Sequence, residues 1–316
     1  MRFAGRFCYK MAPETVALCR TMIGQFYRLS ADRLWKEWRR WALESVKPSY
    51  GLDILDETGW LYAFPELASQ RWVIQQPEHH PEVYLWTHLK AVIDRAADQR
   101  EIFETEHDKL SLMFGALLHD TAKPECTVID EDGVIRSARH AEEGRKHVMP
   151  FFVRIMPNAD DIKHPGPFKF LIESVENLVG EHMFPYYVIT RPGIRRVARR
   201  IYPATLKLLT TLVWCDINGR PDPKDPDAIY DPPKLFEVLN FAINDKIDDT
   251  KPDDIIMGRH LIELGLKSGV HFSKILAAAR DAQYEGAFID VDGGMQWLRN
   301  NLQIILLKEN EKGGVI

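Results

Sequence analysis

The stretch Leu117-Leu118-His119-Asp120-Thr121-Ala122-Lys123 decides how this chain reads. An apolar run leads into it. Leu110, Met113, Phe114, Leu117 and Leu118 fall at i, i+3, i+4, i+7 and i+8, one buried stripe of an α-helix. His119 and Asp120 therefore stand side by side at the inner end of a core helix. A buried carboxylate is costly unless something pairs with it, and a metal ion is one such partner. Nearby backbone donors are another, so the pair alone is also what a plain helix end would present.

Working outward, other ligand types lie on other helical patterns. His88 follows Leu85-Trp86-Thr87, where Trp86, Leu89, Val92, Ile93 and Ala96 repeat at helical spacing. Asp216 ends a pattern built from Leu206, Leu209, Leu212 and Val213. His140 and His182 fall between them. Taken alone, His88 reads as a core histidine; the set of residues reverses that reading. Imidazole and carboxylate together suit Mn, Fe, Co, Ni or Zn better than Mg or Ca. His88, His119, Asp120 and Asp216 would hold one ion with open positions. If His140 and His182 also point inward, two ions fit, with Asp120 bridging.

Composition bounds the rest. A chain of 316 residues that is 45% hydrophobic can build a substantial core, in one large or two small domains. The net charge of −5 leaves no global basic field, so nucleic-acid binding would need a local patch. The best candidate lies between Arg191 and Arg200, where Arg195 and Arg199, like Arg196 and Arg200, are i, i+4 pairs on one side of a helix. A solvated helix face is the other reading of that run. Cys8, Cys19, Cys126 and Cys215 show no Cys-x-x-Cys spacing, which argues against a zinc ribbon or a disulfide scaffold and fits a reducing cytoplasm. No apolar run reaches ~18 residues, so no membrane span is expected, and the N-terminus lacks a signal-peptide core.

The pattern is all-α. Helices are expected over 13–29, with Tyr27 on the apolar face, then over 31–42, 52–58 (stopped by Gly59), 85–99, from His140 onward with an interruption or kink at Pro150, 168–179, 206–216, 235–244, 258–264 and 272–283. Residues 71–84 read as irregular, Asp130–Gly133 as a turn, 157–167 as a loop, 221–233 as a proline-rich linker, and 309–316 as a fraying end. The expected organisation is an N-terminal helical region (1–70), a metal domain (71–220), and a linker with a C-terminal helical region (221–316).

The order His88, His119-Asp120, Asp216, with Lys123 after the pair, resembles the HD-domain metal phosphohydrolases. More specifically, the chain resembles the C-terminal, HD-containing part of bacterial tRNA nucleotidyltransferases, the CCA-adding enzymes. The resemblance rests on Ala12-Pro13-Glu14-Thr15, Gly59-Trp60, Phe64-Pro65-Glu66-Leu67, Pro77-Glu78-His79-His80-Pro81-Glu82, the HD stretch and Gly258-Arg259-His260-Leu261-Ile262. His260 stands where that family usually has an aspartate. No Gly-Gly or Gly-Ser loop followed by an Asp-x-Asp pair precedes the matching segments, so this chain is not expected to add nucleotides by itself.

The resemblance implies an HD helical bundle flanked by helical regions, with one or two divalent ions (Mn, Ni, Co, Fe or Mg). It makes Asp120 and Lys123 the catalytic pair, with Lys123 on the substrate phosphate or leaving oxygen. It places His80 and Glu82 beside the metal or the substrate. Arg139, Arg220, Arg195 and Arg199 are further candidates for phosphate. The implied activity is metal-assisted hydrolysis of nucleotides or RNA ends such as 2′,3′-cyclic phosphates. The alternative is a non-catalytic body that binds tRNA or other RNA and works with a separate head.

Overall fold

A computed structural model describes residues 1–157, 168–184, 189–222, 224–225 and 228–312, with side chains through 306. The loop expected at 157–167 lies outside the described residues apart from Pro157. Pro223 and Pro226 of the expected linker, and the last four positions of the expected fraying end, also lie outside them. The fold is all-α with one small hairpin.

The chain opens with α1 (Arg2–Phe7) and α2 (Pro13–Thr21). Helix α2 buries no residue, and a 3-10 turn, Ile23–Arg28, replaces its expected second half. The apolar spacing there has little core to face, and Tyr27 is 76% exposed rather than inward. Helix α3 (Ala31–Glu44) buries Trp38, Trp41 and Ala42. Helices α4 (Pro48–Glu57) and α5 (Pro65–Ala68) both begin on proline, whose missing N–H costs nothing in a first turn.

Helices α6 (Leu85–Gln99) and α7 (Glu106–Leu118) come next. Thr105 caps α7 by accepting from the Asp108 amide at 3.0 Å. Every residue of α7 from Leu110 to Leu118 is buried, so the helix is enclosed on all sides rather than along one stripe. A short α8 (Lys123–Cys126) leads into β1 (Thr127–Ile129) and β2 (Ile135–Ser137), paired antiparallel with Val128 opposite Arg136. Their three-residue length is too short for an alternation that sequence reading detects. At the expected turn, Asp130 Oδ1 accepts from the Asp132 and Val134 amides and Gly133 adopts φ 80°.

Helix α9 (His140–Ile155) runs on through Pro150, so of the expected interruption or kink the interruption does not occur. Pro150 and Lys146 both lie on the exposed side, where water can serve the carbonyl that the proline leaves unbonded. Helices α10 (Lys169–Glu181), α11 (Arg191–Ile201), α12 (Leu206–Asn218) and α13 (Pro233–Asn244) complete the main body. Its core runs from Trp38 to Ile247. Trp38 sits at its centre with ring centroids 5.0 Å from Phe64 and 5.3 Å from Phe151.

Helices α14 (Gly258–Glu263), α15 (His271–Tyr284) and α16 (Val291–Lys312) pack around a second core that includes Leu261, Ile275, Phe288 and Leu298. The arginines of α11 join this unit to the body. Arg195 donates to Asp245 Oδ2 at 2.7 Å and to the Tyr284 carbonyl at 2.8 Å. Arg199 holds Asp254 with two hydrogen bonds of 2.7 and 3.1 Å, and Arg196 pairs with Glu285. Arg200 grips Glu181 at 2.6 and 2.7 Å. The expected phosphate patch is therefore matched by the chain's own carboxylates and acts as a docking face. Among the described residues, no helix is long and apolar enough to cross a membrane.

Candidate metal centre

Five helices deliver the polar groups that collect inside the main body. Helix α7 ends at His119, with Asp120 next. Helix α10 ends at His182, α9 begins at His140, and α6 carries His88. Asp216 comes from the last turn of α12. The close crossing of α12 on α6 depends on Gly219, where an added Cβ would lie 2.4 Å from Val92 Cγ2 and 3.0 Å from the Val92 nitrogen. That approach brings Asp216 Oδ1 to 2.9 Å from His88 Nε2.

Local structure fixes the state of three imidazoles. The last carbonyls of a helix have no partner within it. His119 Nδ1–H donates to the Ala116 carbonyl at 2.8 Å, and His182 Nδ1–H donates to the Val179 carbonyl at 2.7 Å. His140 Nδ1–H donates in the same way to the Ser137 carbonyl at 2.7 Å. A carbonyl can only accept, so each Nδ1 carries a proton, and a ring that is neutral then turns its Nε2 lone pair inward.

Those lone pairs converge on Asp120. His140 Nε2 lies 3.2 Å and His182 Nε2 3.8 Å from Asp120 Oδ1, whereas His119 Nε2 lies 3.2 Å from Asp120 Oδ2. His119 Nε2 is also 3.8 Å from Asp216 Oδ1. Buried and without a hydrogen-bond partner, His119 Nε2 is an orphan. His140 Nε2 and His182 Nε2 stand only 3.1 Å apart. Two lone pairs at that distance repel unless a proton or a cation lies between them.

His88 is held differently. Its Nε2 faces Asp216, and its Nδ1 lies 2.9 Å from Glu82 Oε1, which also takes His80 Nδ1 at 2.9 Å. A carboxylate behind the outer nitrogen of a histidine is a recurrent support for metal ligation. Glu82 precedes Val83, a β-branched residue held at φ 63°. That strained backbone marks a local conformation imposed by its surroundings.

The charges balance within the pocket. Lys123 Nζ lies 2.7 Å from Asp120 Oδ2, and Arg220 Nη2 donates to Asp216 Oδ2 at 2.9 Å. Burial pushes the carboxyl pKa values up, but His119 and Lys123 beside Asp120, and Arg220 and His88 beside Asp216, hold both well below the usual range. Burial, reinforced by His140 and His119, drives the His182 imidazole down to about 3. It is neutral near pH 7, as a metal ligand must be.

The donor set fits a divalent transition metal. It offers buried imidazole lone pairs of fixed tautomer and ionised carboxylates, grouped as His88–His119–Asp120 and as Asp120–His140–His182, each set of ligand atoms within 4.8 Å. A third group, His80–Glu82–His88, adjoins them.

A cavity of about 560 Å³ opens onto Asp120, His140, His182, Asp216, Lys123 and Arg220. His80 also lines it. The remaining candidates lie elsewhere. Arg139 is exposed and pairs with Glu142 and Glu143, while Arg195 and Arg199 face the C-terminal unit. Sequence reading missed Gln75, whose Oε1 accepts from Lys123 Nζ at 2.7 Å. It lies in an aperiodic stretch that carries no signal for it. The carbonyl partners of His119 and His182 were findable, because a histidine just past an apolar helix lies within reach of that helix's last carbonyls.

No family model matches the chain. Among curated proteins it is similar to the Multifunctional CCA protein of Cupriavidus metallidurans, 38% identical over 149 residues that cover 46% of this chain and 33% of the relative. The Multifunctional CCA protein of Paraburkholderia phytofirmans is 38% identical over 148 residues, with the same two shares. The Multifunctional CCA protein of Acinetobacter baumannii is 26% identical over 285 residues, 86% of this chain and 64% of the relative. The chain thus spans a third to under two thirds of the length of these relatives.

Proposed function

We propose that this chain is a metal-dependent phosphohydrolase of the HD type, acting on phosphomonoesters or phosphodiesters of nucleotides or RNA ends. The observation that carries this reading is the inward convergence of the His119, His140 and His182 lone pairs on the two oxygens of Asp120. His88, His119, Asp120 and Asp216 would hold one divalent ion, and His140 and His182, sharing Asp120, would hold a second. Ions held there would supply Lewis acidity toward a phosphoryl oxygen and lower the pKa of an attacking water toward ~7.

The protein groups set the rest of the chemistry. Lys123 and Arg220 present fixed positive charge at the cavity wall, where negative charge grows on the phosphoryl group. Glu82 keeps His88 oriented, and the Ala116, Val179 and Ser137 carbonyls hold the other three rings by Nδ1. His79, His80, Gln76 and Arg136 also line the cavity and offer polar groups to an anionic ester. Similarity to Multifunctional CCA proteins supports an RNA-related substrate and makes a 2′,3′-cyclic phosphate end the first ester to try.

The alternative, a non-catalytic RNA-binding body, draws its sequence support from the helical regions flanking the site and from the arginine run on α11. Arg195, Arg196, Arg199 and Arg200 are engaged by Asp245, Glu285, Asp254 and Glu181 instead. The test compares p-nitrophenyl phosphate, bis(p-nitrophenyl) phosphate and a 2′,3′-cyclic phosphate oligonucleotide in Mn, Ni, Co and Mg. Turnover of any ester that needs metal is the expected result. Salt-sensitive tRNA binding with no turnover in any metal would replace this reading with the binding one.

A further inference from the structure

We infer that Gln75 is an additional phosphate-binding residue of this cavity, its side-chain amide working with Lys123 to receive one phosphoryl oxygen. The inference rests on the phosphoester reading above and adds a residue and a ligand group to it. Gln75 is 4% exposed and lines the cavity. Its Oε1 accepts from Lys123 Nζ at 2.7 Å. An ammonium only donates, so this contact fixes which end of the amide faces the lysine and turns Nε2 away from it. Gln75 Nε2 is buried and has no hydrogen-bond partner among the described residues. A buried amide donor is ordinarily satisfied, and one left open beside a cavity calls for an acceptor from outside the chain.

The neighbourhood says which acceptor. Lys123 Nζ, held between Gln75 and Asp120 Oδ2 at 2.7 Å from each, has three N–H donors and retains capacity for a further oxygen. A neutral donor next to a cation recognises an anion. An amide does so without adding positive charge beside residues that would hold metal.

The placement is also rigid. The Gln75 amide donates to the Val83 carbonyl at 2.8 Å, the Leu85 amide donates to the Val73 carbonyl at 2.9 Å, and Ile74 bridges Tyr84. Gln75 is thereby fixed to the segment that leads into α6 and His88. Preorganised donors of this kind lose little freedom when the ligand arrives.

The test is calorimetric titration of inorganic phosphate into the full chain loaded with Mn, for the wild type, Gln75→Leu, Gln75→Glu and Gln75→Asn. Removal of one hydrogen bond to an anion weakens phosphate by about tenfold or more in Gln75→Leu. The Mn affinity is expected to stay within about twofold of wild type, a change well under 1 kcal/mol. Gln75→Glu places a second acceptor against the anion and is weaker still. Gln75→Asn keeps the amide on a shorter arm, binds phosphate at an intermediate level, and carries the test if the leucine variant fails to fold. The inference is overturned by an unchanged phosphate affinity in these variants, by a parallel fall in Mn affinity, or by a wild type that binds no phosphate. A wild type that binds phosphate through Gln75 yet hydrolyses no ester would sink the hydrolase reading and leave this one standing.

Discussion

Replacing Glu82 by glutamine isolates the contribution of a group that touches the cluster only through a histidine. Glu82 Oε1 lies 2.9 Å from both His88 Nδ1 and His80 Nδ1, and its side chain is 2% exposed. Burial works against its charge, yet the bonds to His80 and His88 hold its pKa down at about 2, so it is a carboxylate at neutral pH. Glutamine keeps the shape and removes the charge. Loss of such an outer partner weakens metal by about 10–100-fold, or roughly 1.4–2.7 kcal/mol. At metal 100 times its Kd, wild type gains about 2.7 kcal/mol of stability, and the variant at the same concentration retains only about 0.4–1.4 kcal/mol. Thermal unfolding with and without Mn reads this difference directly, each protein referenced to its own metal-free form. A Mn-induced shift in Glu82→Gln equal to that of wild type would refute the reasoning. A shift that vanishes altogether would make Glu82 a direct ligand.

Other outcomes follow from the same geometry. Arg199→Ala breaks a partly exposed two-bond pair with Asp254, so it should cost on the order of 1 kcal/mol and lower the Tm by a few degrees. The KM for a phosphoester should not change, and a raised KM would restore the phosphate patch. Gly219→Ala forces a Cβ against Val92 and should cost about 1–3 kcal/mol in urea unfolding. It should also weaken Mn, because Asp216 lies in the same turn; intact Mn affinity would show that the crossing does not position that carboxylate.

In the metal-free protein, NMR titration should find His182 still neutral at pH 5. Between about 3 and the unfolded value of 6.5, the unfolded chain binds a proton there that the folded one does not, so this group favours folding as pH rises and loses that contribution on acidification. A midpoint near 6.5 would mean that the ring is open to water.

The convergence of His88, His119, Asp120 and Asp216 was legible because each ends or interrupts a helical apolar pattern, and polar groups at the inner ends of core helices have few places to go. His140 and His182 were legible as residues but not as neighbours 3.1 Å apart, since that distance depends on how α9 and α10 pack. The arginine run shows why a helix face alone is ambiguous. Its i, i+4 spacing fixes a surface, while Asp245 and Asp254, which answer it, come from distant sequence. Residues 13–29 erred for a related reason. Apolar periodicity reports a face that can be buried, and here only Phe26 packs against the main core while α2 buries no residue. Gln75 had no periodic signal, because its role comes from one bond to Lys123 across the chain.

The most direct measurement is turnover of bis(p-nitrophenyl) phosphate by chelator-stripped protein as Mn is titrated back, for wild type and Asp120→Ala. Asp120 carries both oxygens on which the histidines converge. The account predicts no turnover in stripped wild type, a rise that saturates at one or two Mn per chain, and none in Asp120→Ala at any Mn concentration. Turnover by the stripped protein, or an Asp120→Ala protein as active as wild type, would contradict it.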